Sequence, residues 1–142
     1  MLRGVSFEGG GLENFIRSFD EVFDVSAYEW YIDDIELNYL SFRAGKYTGA
    51  ELRDSLEELS ALSFVRIRRY RAGSSVRRID EYNDYADSDC DALILFYDGG
   101  FYEVYAKSER LIHELYAFCI SRGFERTAYI DSAADGRYSM HF

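Results

Sequence analysis

The sequence predicts an α+β fold: a mainly antiparallel sheet of six to eight strands, with two or three helices packed on one of its faces. Three observations lead there. Residues 92–106 read as two apolar strands around Asp98-Gly99-Gly100, which is hairpin chemistry. A well-marked amphipathic helix follows at once. Near the other end, Leu12, Phe15, Ile16, Phe19 and Val22 recur at helical spacing with polar residues opposite. An apolar ribbon flanked by apolar helical stripes is buried most simply by laying the helices on the sheet.

In chain order, Arg3 to Phe7 reads as a strand, broken by Gly9-Gly10-Gly11 before the helix spanning Leu12–Phe23. Tyr28, Trp30 and Ile32 alternate with polar neighbours, a strand pattern. Asp33-Asp34 reads as a turn into a further strand over Glu36 to Phe42. Thr48-Gly49-Ala50-Glu51 has capping-box spacing, with Leu52, Leu56 and Leu59 as a short apolar stripe behind it. Phe64 to Arg71 is rich in β-formers, Ala72-Gly73-Ser74-Ser75 is a loop, and Arg77 to Ser88 fits helix or loop.

In the hairpin, a two-residue turn puts Leu93, Leu95, Tyr97, Tyr102, Val104 and Ala106 on one face. A three-residue loop swaps one strand's partners. Ser108 is the expected N-cap of a helix over Glu109–Arg122, whose buried stripe is Leu111, Ile112, Leu115, Phe118 and Cys119. Gly123 is its expected C′ residue. Arg126 to Asp131 is a strand, Asp135-Gly136 a loop, and Tyr138, Met140 and Phe142 alternate in a last strand.

At 142 residues the chain fits one domain, residues 1–142, large enough for a core without metal or disulfide. Two cysteines are too few for a disulfide framework and fit a reducing cytoplasm. The N-terminal residues have no apolar signal-peptide segment, and no apolar run approaches a membrane span. The net charge of −10 is uneven. Residues 63–80 hold six basic and one acidic group, whereas both flanks are strongly acidic. Such a molecule repels nucleic acid at long range.

Catalytic and metal patterns are weak. His113 and His141 are the only histidines, with no zinc spacing, and read as surface residues. Asp87, Asp89 and Asp91 resemble the start of a calcium loop but lack its glycine and terminal glutamate, so they read as an acidic turn. Cys119 falls on a buried stripe, and Cys90 sits between two aspartates that raise a thiol pKa. The triple glycine lacks the Lys-Ser/Thr of a phosphate loop. Asp33, Asp34 and Glu36 read as a turn rather than an acid–base pair. No catalytic residue, metal ligand or cofactor is expected.

The basic island is the polar feature that stands out. On a strand, Arg66, Arg68 and Tyr70 share one face, and Arg77 and Arg78 follow the Gly-Ser loop. These five residues form a candidate binding site for a carboxylate or phosphate, because guanidinium offers a flat fork. Against that stands internal pairing with the chain's own 26 carboxylates, the favoured reading.

Arg3-Gly4-Val5-Ser6-Phe7-Glu8 resembles the opening of a Bacillus-type family of uncharacterised proteins, a domain of unknown function. Asp89-Cys90-Asp91-Ala92-Leu93-Ile94-Leu95, the hairpin and helix, and Gly123-Phe124-Glu125 through Ile130 resemble that family's C-terminal half. Asp135-Gly136-Arg137 is similar to a polar turn near its end. The resemblance covers about half the chain and carries no catalytic residue with it.

Three functional classes remain. The leading expectation is a non-catalytic cytoplasmic protein that binds another protein, in the manner of an inhibitor or immunity protein, its acidic Tyr-rich surface steering towards a basic partner. The second is a small enzyme or ligand-binding domain using the Arg66/Arg68/Tyr70 face. The third is a self-associating module that dimerises through an exposed aromatic strand edge.

Overall fold

A computed structural model of the chain describes residues 1–35, 43–59, 62–137 and 139–142. Seven strands form one antiparallel sheet: β1 (Leu2–Glu8), β2 (Glu29–Asp33), β3 (Gly45–Thr48), β4 (Val65–Tyr70), β5 (Ala92–Tyr97), β6 (Phe101–Ala106) and β7 (Glu125–Asp131). Their order is β3-β2-β4-β5-β6-β1-β7. The N-terminal strand is therefore inserted between the β5–β6 hairpin and the C-terminal strand. The helical segments are α1 (Leu12–Ser18), α2 (Asp20–Phe23), α3 (Gly49–Asp54), α4 (Leu56–Leu59), α5 (Tyr82–Ala86) and α6 (Glu109–Ser121). The α+β class and mainly antiparallel sheet are as the sequence predicts.

The helices are shorter and more numerous than the apolar stripes suggest. The expected helix over residues 12–23 is two segments meeting at Phe19, and Asp24 ends it in the left-handed region at φ 50°. The Thr48/Glu51 capping box is present in both directions. The stripe behind it splits at Ser55, whose hydroxyl donates to the Glu51 carbonyl, a side-chain bond that competes with helix continuation. Ser108 caps α6 by accepting from the Leu111 amide. At the other end Phe124 N–H donates to Cys119 O and Gly123 N–H to Ile120 O. That is a Schellman motif, with Gly123 at φ 73° as its left-handed residue.

One face of the sheet carries the main core. Phe7, Phe15, Phe19, Phe23, Trp30, Phe96 and Tyr102 are buried there with the leucines of α3, α4 and α6. The aromatic rings touch in series; Phe7 stacks on Tyr102 at 4.8 Å and Phe15 meets Phe19 at 4.4 Å. Among the described residues the opposite face has no helical layer of that size. Residues 76–90, with α5 inside them, and the C-terminal tail cross it, placing Ile79, Tyr85 and Met140 over Leu93, Leu95, Tyr105 and Ile130.

Two expectations need correction. The hairpin pairs Tyr97 with Phe101, so its loop has three residues, with Asp98 and Gly99 both at positive φ. The extra residue shifts the parity of β6. Tyr102, Val104 and Ala106 join Ile94 and Phe96 on the helical face, and Tyr105 joins Leu93 and Leu95 on the other. The last strand is also reduced: Ser139 makes one isolated bridge with Glu81, and Met140 donates its amide to Asp80 O. The carbonyl of Met140 is taken by Arg66, which holds the tail across the sheet face rather than along an edge. The strand expected over Glu36–Phe42, like Tyr138, lies outside the described residues.

Candidate functional site

The basic island lies on β4, an interior strand of the sheet between β2 and β5, and all six residues of that strand are buried. Arg66 is directly opposite Asp33 on β2. It donates Nε to Asp33 Oδ1 at 2.7 Å and Nη2 to Oδ2 at 2.6 Å, while Nη1 reaches the carbonyls of Ile79 (2.7 Å) and Met140 (3.0 Å). Arg68 donates Nη2 to the same Asp33 oxygen at 3.1 Å and Nη1 to Tyr70 Oη and the Arg77 carbonyl. Its guanidinium lies 4.5 Å from the centre of the Tyr31 ring. Arg66 and Arg68 are 5% and 3% exposed. Burial works against the Arg66 charge, but the hydrogen bonds and charge of Asp33 outweigh it and hold the pKa above the ordinary arginine value.

Arg69 points to the helical face. It pairs with Asp91 at 2.8 Å, donates to the Phe23 carbonyl, and lies over the Tyr28 ring at 3.9 Å. Asp91, one of the three residues of the acidic turn, is therefore an internal counter-ion. Of the five sequence-selected binding residues, the structure brings Arg66, Arg68 and Tyr70 into one buried network. It leaves Arg77 and Arg78 exposed, Arg78 paired with Asp80 at 2.7 Å. The carboxylate that organises the network, Asp33, reads from sequence only as part of a turn. Its signal is parity: it ends an alternating strand on the same face as the arginines, but the β2–β4 pairing is non-local.

The same sheet face opens into a polar groove of about 640 Å³ over β6, β1 and β7. Glu103 and Arg137 pair across it at 2.5 Å. Tyr97, Ser6 and Asp131 complete much of its wall. At its margin Asp135 takes Arg3 at 3.1 Å, and Arg3 stacks on Tyr82 at 3.7 Å. Burial, and after it the nearby Glu103 carboxylate, pushes the Tyr97 phenol above its ordinary pKa. Burial opposes the Arg137 charge, and Glu103 more than restores it. Sequence reading misses this pair because the chain separates its members by 34 residues and the hairpin parity has to be known first.

Both cysteines are free and buried. Burial raises both thiols to about 12, with Asp91 a lesser contributor at Cys90. His113 contacts Tyr129 Oη at 2.9 Å on the surface, and His141 lies 3.7 Å from Asp80. Among the described residues, no group of three His, Cys, Asp or Glu side chains is placed to hold a metal ion. No described helix is long and apolar enough to cross a membrane.

The whole chain is similar to proteins already known. A family described as "Protein of unknown function (DUF2691)" matches residues 2–141. The sequence resemblance thus extends over nearly the whole chain, the basic island and triple glycine included, rather than half of it. The uncharacterized protein YncE of Bacillus subtilis (strain 168) is 26% identical over 154 aligned positions, covering 99% of each chain. No solved structure matches.

Proposed function

The chain belongs to the DUF2691 family of proteins of unknown function, and we propose that it is a non-catalytic, single-domain cytoplasmic module whose acidic surface binds a basic protein. The observation that carries this reading is the fate of the basic island. Arg66, Arg68 and Arg69 are consumed inside the fold by Asp33 and Asp91. The remaining chain holds 13 cationic and 24 acidic side chains, a net of −11. Half of the six cationic side chains in the one stretch able to offset the acidic flanks are therefore withdrawn from the surface, which keeps Arg71, Arg77 and Arg78. A field of one sign accelerates encounter with a partner of opposite sign and repels nucleic acid.

The test is capture on the immobilised full chain from a Bacillus extract, followed by kinetics with each purified captured protein. The expected result is a basic partner whose association rate falls at least about tenfold between low and high salt. A captured partner with an acidic surface, or an association rate indifferent to salt, overturns the proposal.

A second reading, a small-ligand-binding domain, is favoured by one observation, the polar groove. Its centre moves from the Arg66/Arg68/Tyr70 face, which is filled, to Glu103, Arg137 and Tyr97. Saturable shifts of those residues in an NMR screen against small zwitterions would support it over protein binding.

A further inference from the structure

We propose that a glycine-walled pocket at the turn end of β1, β6 and β7 receives an arginine side chain of the basic partner. This inference rests on the acidic-surface reading above and gives it a place. The pocket has a volume of about 440 Å³. Its walls are backbone: Gly9 and Gly10 after β1, Gly100 before β6, and Gly123 after α6. Two of these four glycines, Gly9 and Gly100, are kept bare by close packing. Gly9 N–H donates to Gly100 O at 2.9 Å. A Cβ on Gly9 would meet the Phe124 ring at 2.5 Å, and one on Gly100 would meet Gly9 O at 3.0 Å.

The mouth lacks one positive charge. Glu8 and Glu125 stand directly opposite each other on β1 and β7, an arrangement of like charges that destabilises a sheet. Arg126 reaches Glu8 at 3.1 Å, and no ion pair among the described residues reaches Glu125. The C-terminal end of α6, the negative end of its dipole, opens at the same place through Gly123. Beside the carboxylates lies Phe101, 37% exposed and one of few large apolar side chains left in solvent. Its ring is stacked on Tyr97 at 5.6 Å, so it is held in place.

A carboxylate with no ion pair among the described residues, a fixed aromatic face and open backbone walls together suit a planar cation. Guanidinium fits better than ammonium because it stacks on a ring while its edge forks to a carboxylate.

The experiment uses the full chain, isotopically labelled, titrated with a short blocked arginine peptide and, separately, with its lysine counterpart. The expected result is saturable movement of the Gly9, Gly10, Gly100 and Gly123 amides with the arginine peptide, and binding about fivefold weaker with lysine. Glu125→Gln and Phe101→Ser should each weaken the arginine peptide by about three- to fivefold. Both residues are exposed, and unmoved peaks elsewhere establish that each variant folds. Arginine binding unchanged in either variant, equal affinity for the lysine peptide, or movement confined to the exposed acids of α3 and α4, overturns the pocket. The two proposals fail separately. A salt-dependent protein partner indifferent to both substitutions sinks the pocket alone. Glycine shifts with the peptide, alongside captured partners that bind independently of salt, sink the broader reading alone.

Discussion

Replacing Asp33 by alanine should cost this protein a large part of its stability, and the structure says how much. Asp33 accepts three charge-assisted hydrogen bonds, two from Arg66 and one from Arg68. The two guanidinium side chains are 6% and 4% exposed. Without the carboxylate, two buried cations are left with carbonyls, a phenol, a ring and the lesser influence of the Asp34 charge. Removing one member of a buried ion pair costs about 3–5 kcal/mol, because the partner stays buried and unpaired. Asp33 is itself 20% exposed, so water softens the loss towards about 3 kcal/mol. For 142 residues the unfolding entropy is about 0.3 kcal/mol per kelvin, so the melting temperature should fall by about 10 °C. Trp30 is the sole tryptophan, is 2% exposed, and sits on the same strand as Asp33, so its fluorescence in a urea titration reports the transition. Making the whole trio apolar, by combining Asp33→Leu with Arg66→Met and Arg68→Met, should recover part of the loss. Recovery is incomplete because Ile79 O and Met140 O lose their donor. A cost below about 1 kcal/mol for Asp33→Ala would refute the reasoning, since it would mean that the arginines reach water or another anion.

Three further outcomes follow from the packing. Gly4→Ala should unfold or severely destabilise the chain, because its Cβ would lie 1.9 Å from Val104 O; Gly11→Ala, whose Cβ meets nothing within 4 Å, should change the urea midpoint little. Burial holds Cys90, Cys119 and Tyr70 at about 12, above ordinary values of 9.0 and 10.0, so the folded state keeps these groups neutral. Their contribution to stability is full below about pH 9 and is lost as pH rises towards 12, because the unfolded chain ionises first; denaturation followed against pH should show that alkaline slope, and thiol reagents at pH 8 should label only unfolded chain. Ser108→Ala removes the acceptor of the Leu111 amide at the start of α6 and should cost about 1 kcal/mol by urea titration.

What the sequence made legible was local. The Thr48–Glu51 capping box, the Ser108 cap and the Gly123 terminus each depend on residues within a few positions, and all three are where spacing put them. The apolar stripes of α1 and α6 were likewise readable. The hairpin shows where local information stops. Both strands were evident, yet Asp98-Gly99-Gly100 is compatible with a two- or three-residue loop, and one residue of difference reverses the faces of β6. The break at Ser55 was hidden because it depends on a hydroxyl turning back to its own helix. The strand order was hidden for another reason: β1 lies between β6 and β7, a pairing between distant parts of the chain that no window contains.

The basic island joins these two kinds of information. Its alternation on β4 was visible, and alternation alone fits a phosphate-binding face as well as a buried ladder. The decision comes from what lies one strand away. In the observed register Asp33 stands opposite Arg66, and Arg68 reaches the same carboxylate from the same face. Sliding β2 by one residue would send Asp33 to the helical face among Val65 and Ile67 and strand both arginines. The network therefore penalises misregister between β2 and β4 more heavily than any apolar contact there, which tolerates exchange of one branched side chain for another. On this argument Arg66 and Arg68, through Asp33, fix the register of β2 on β4.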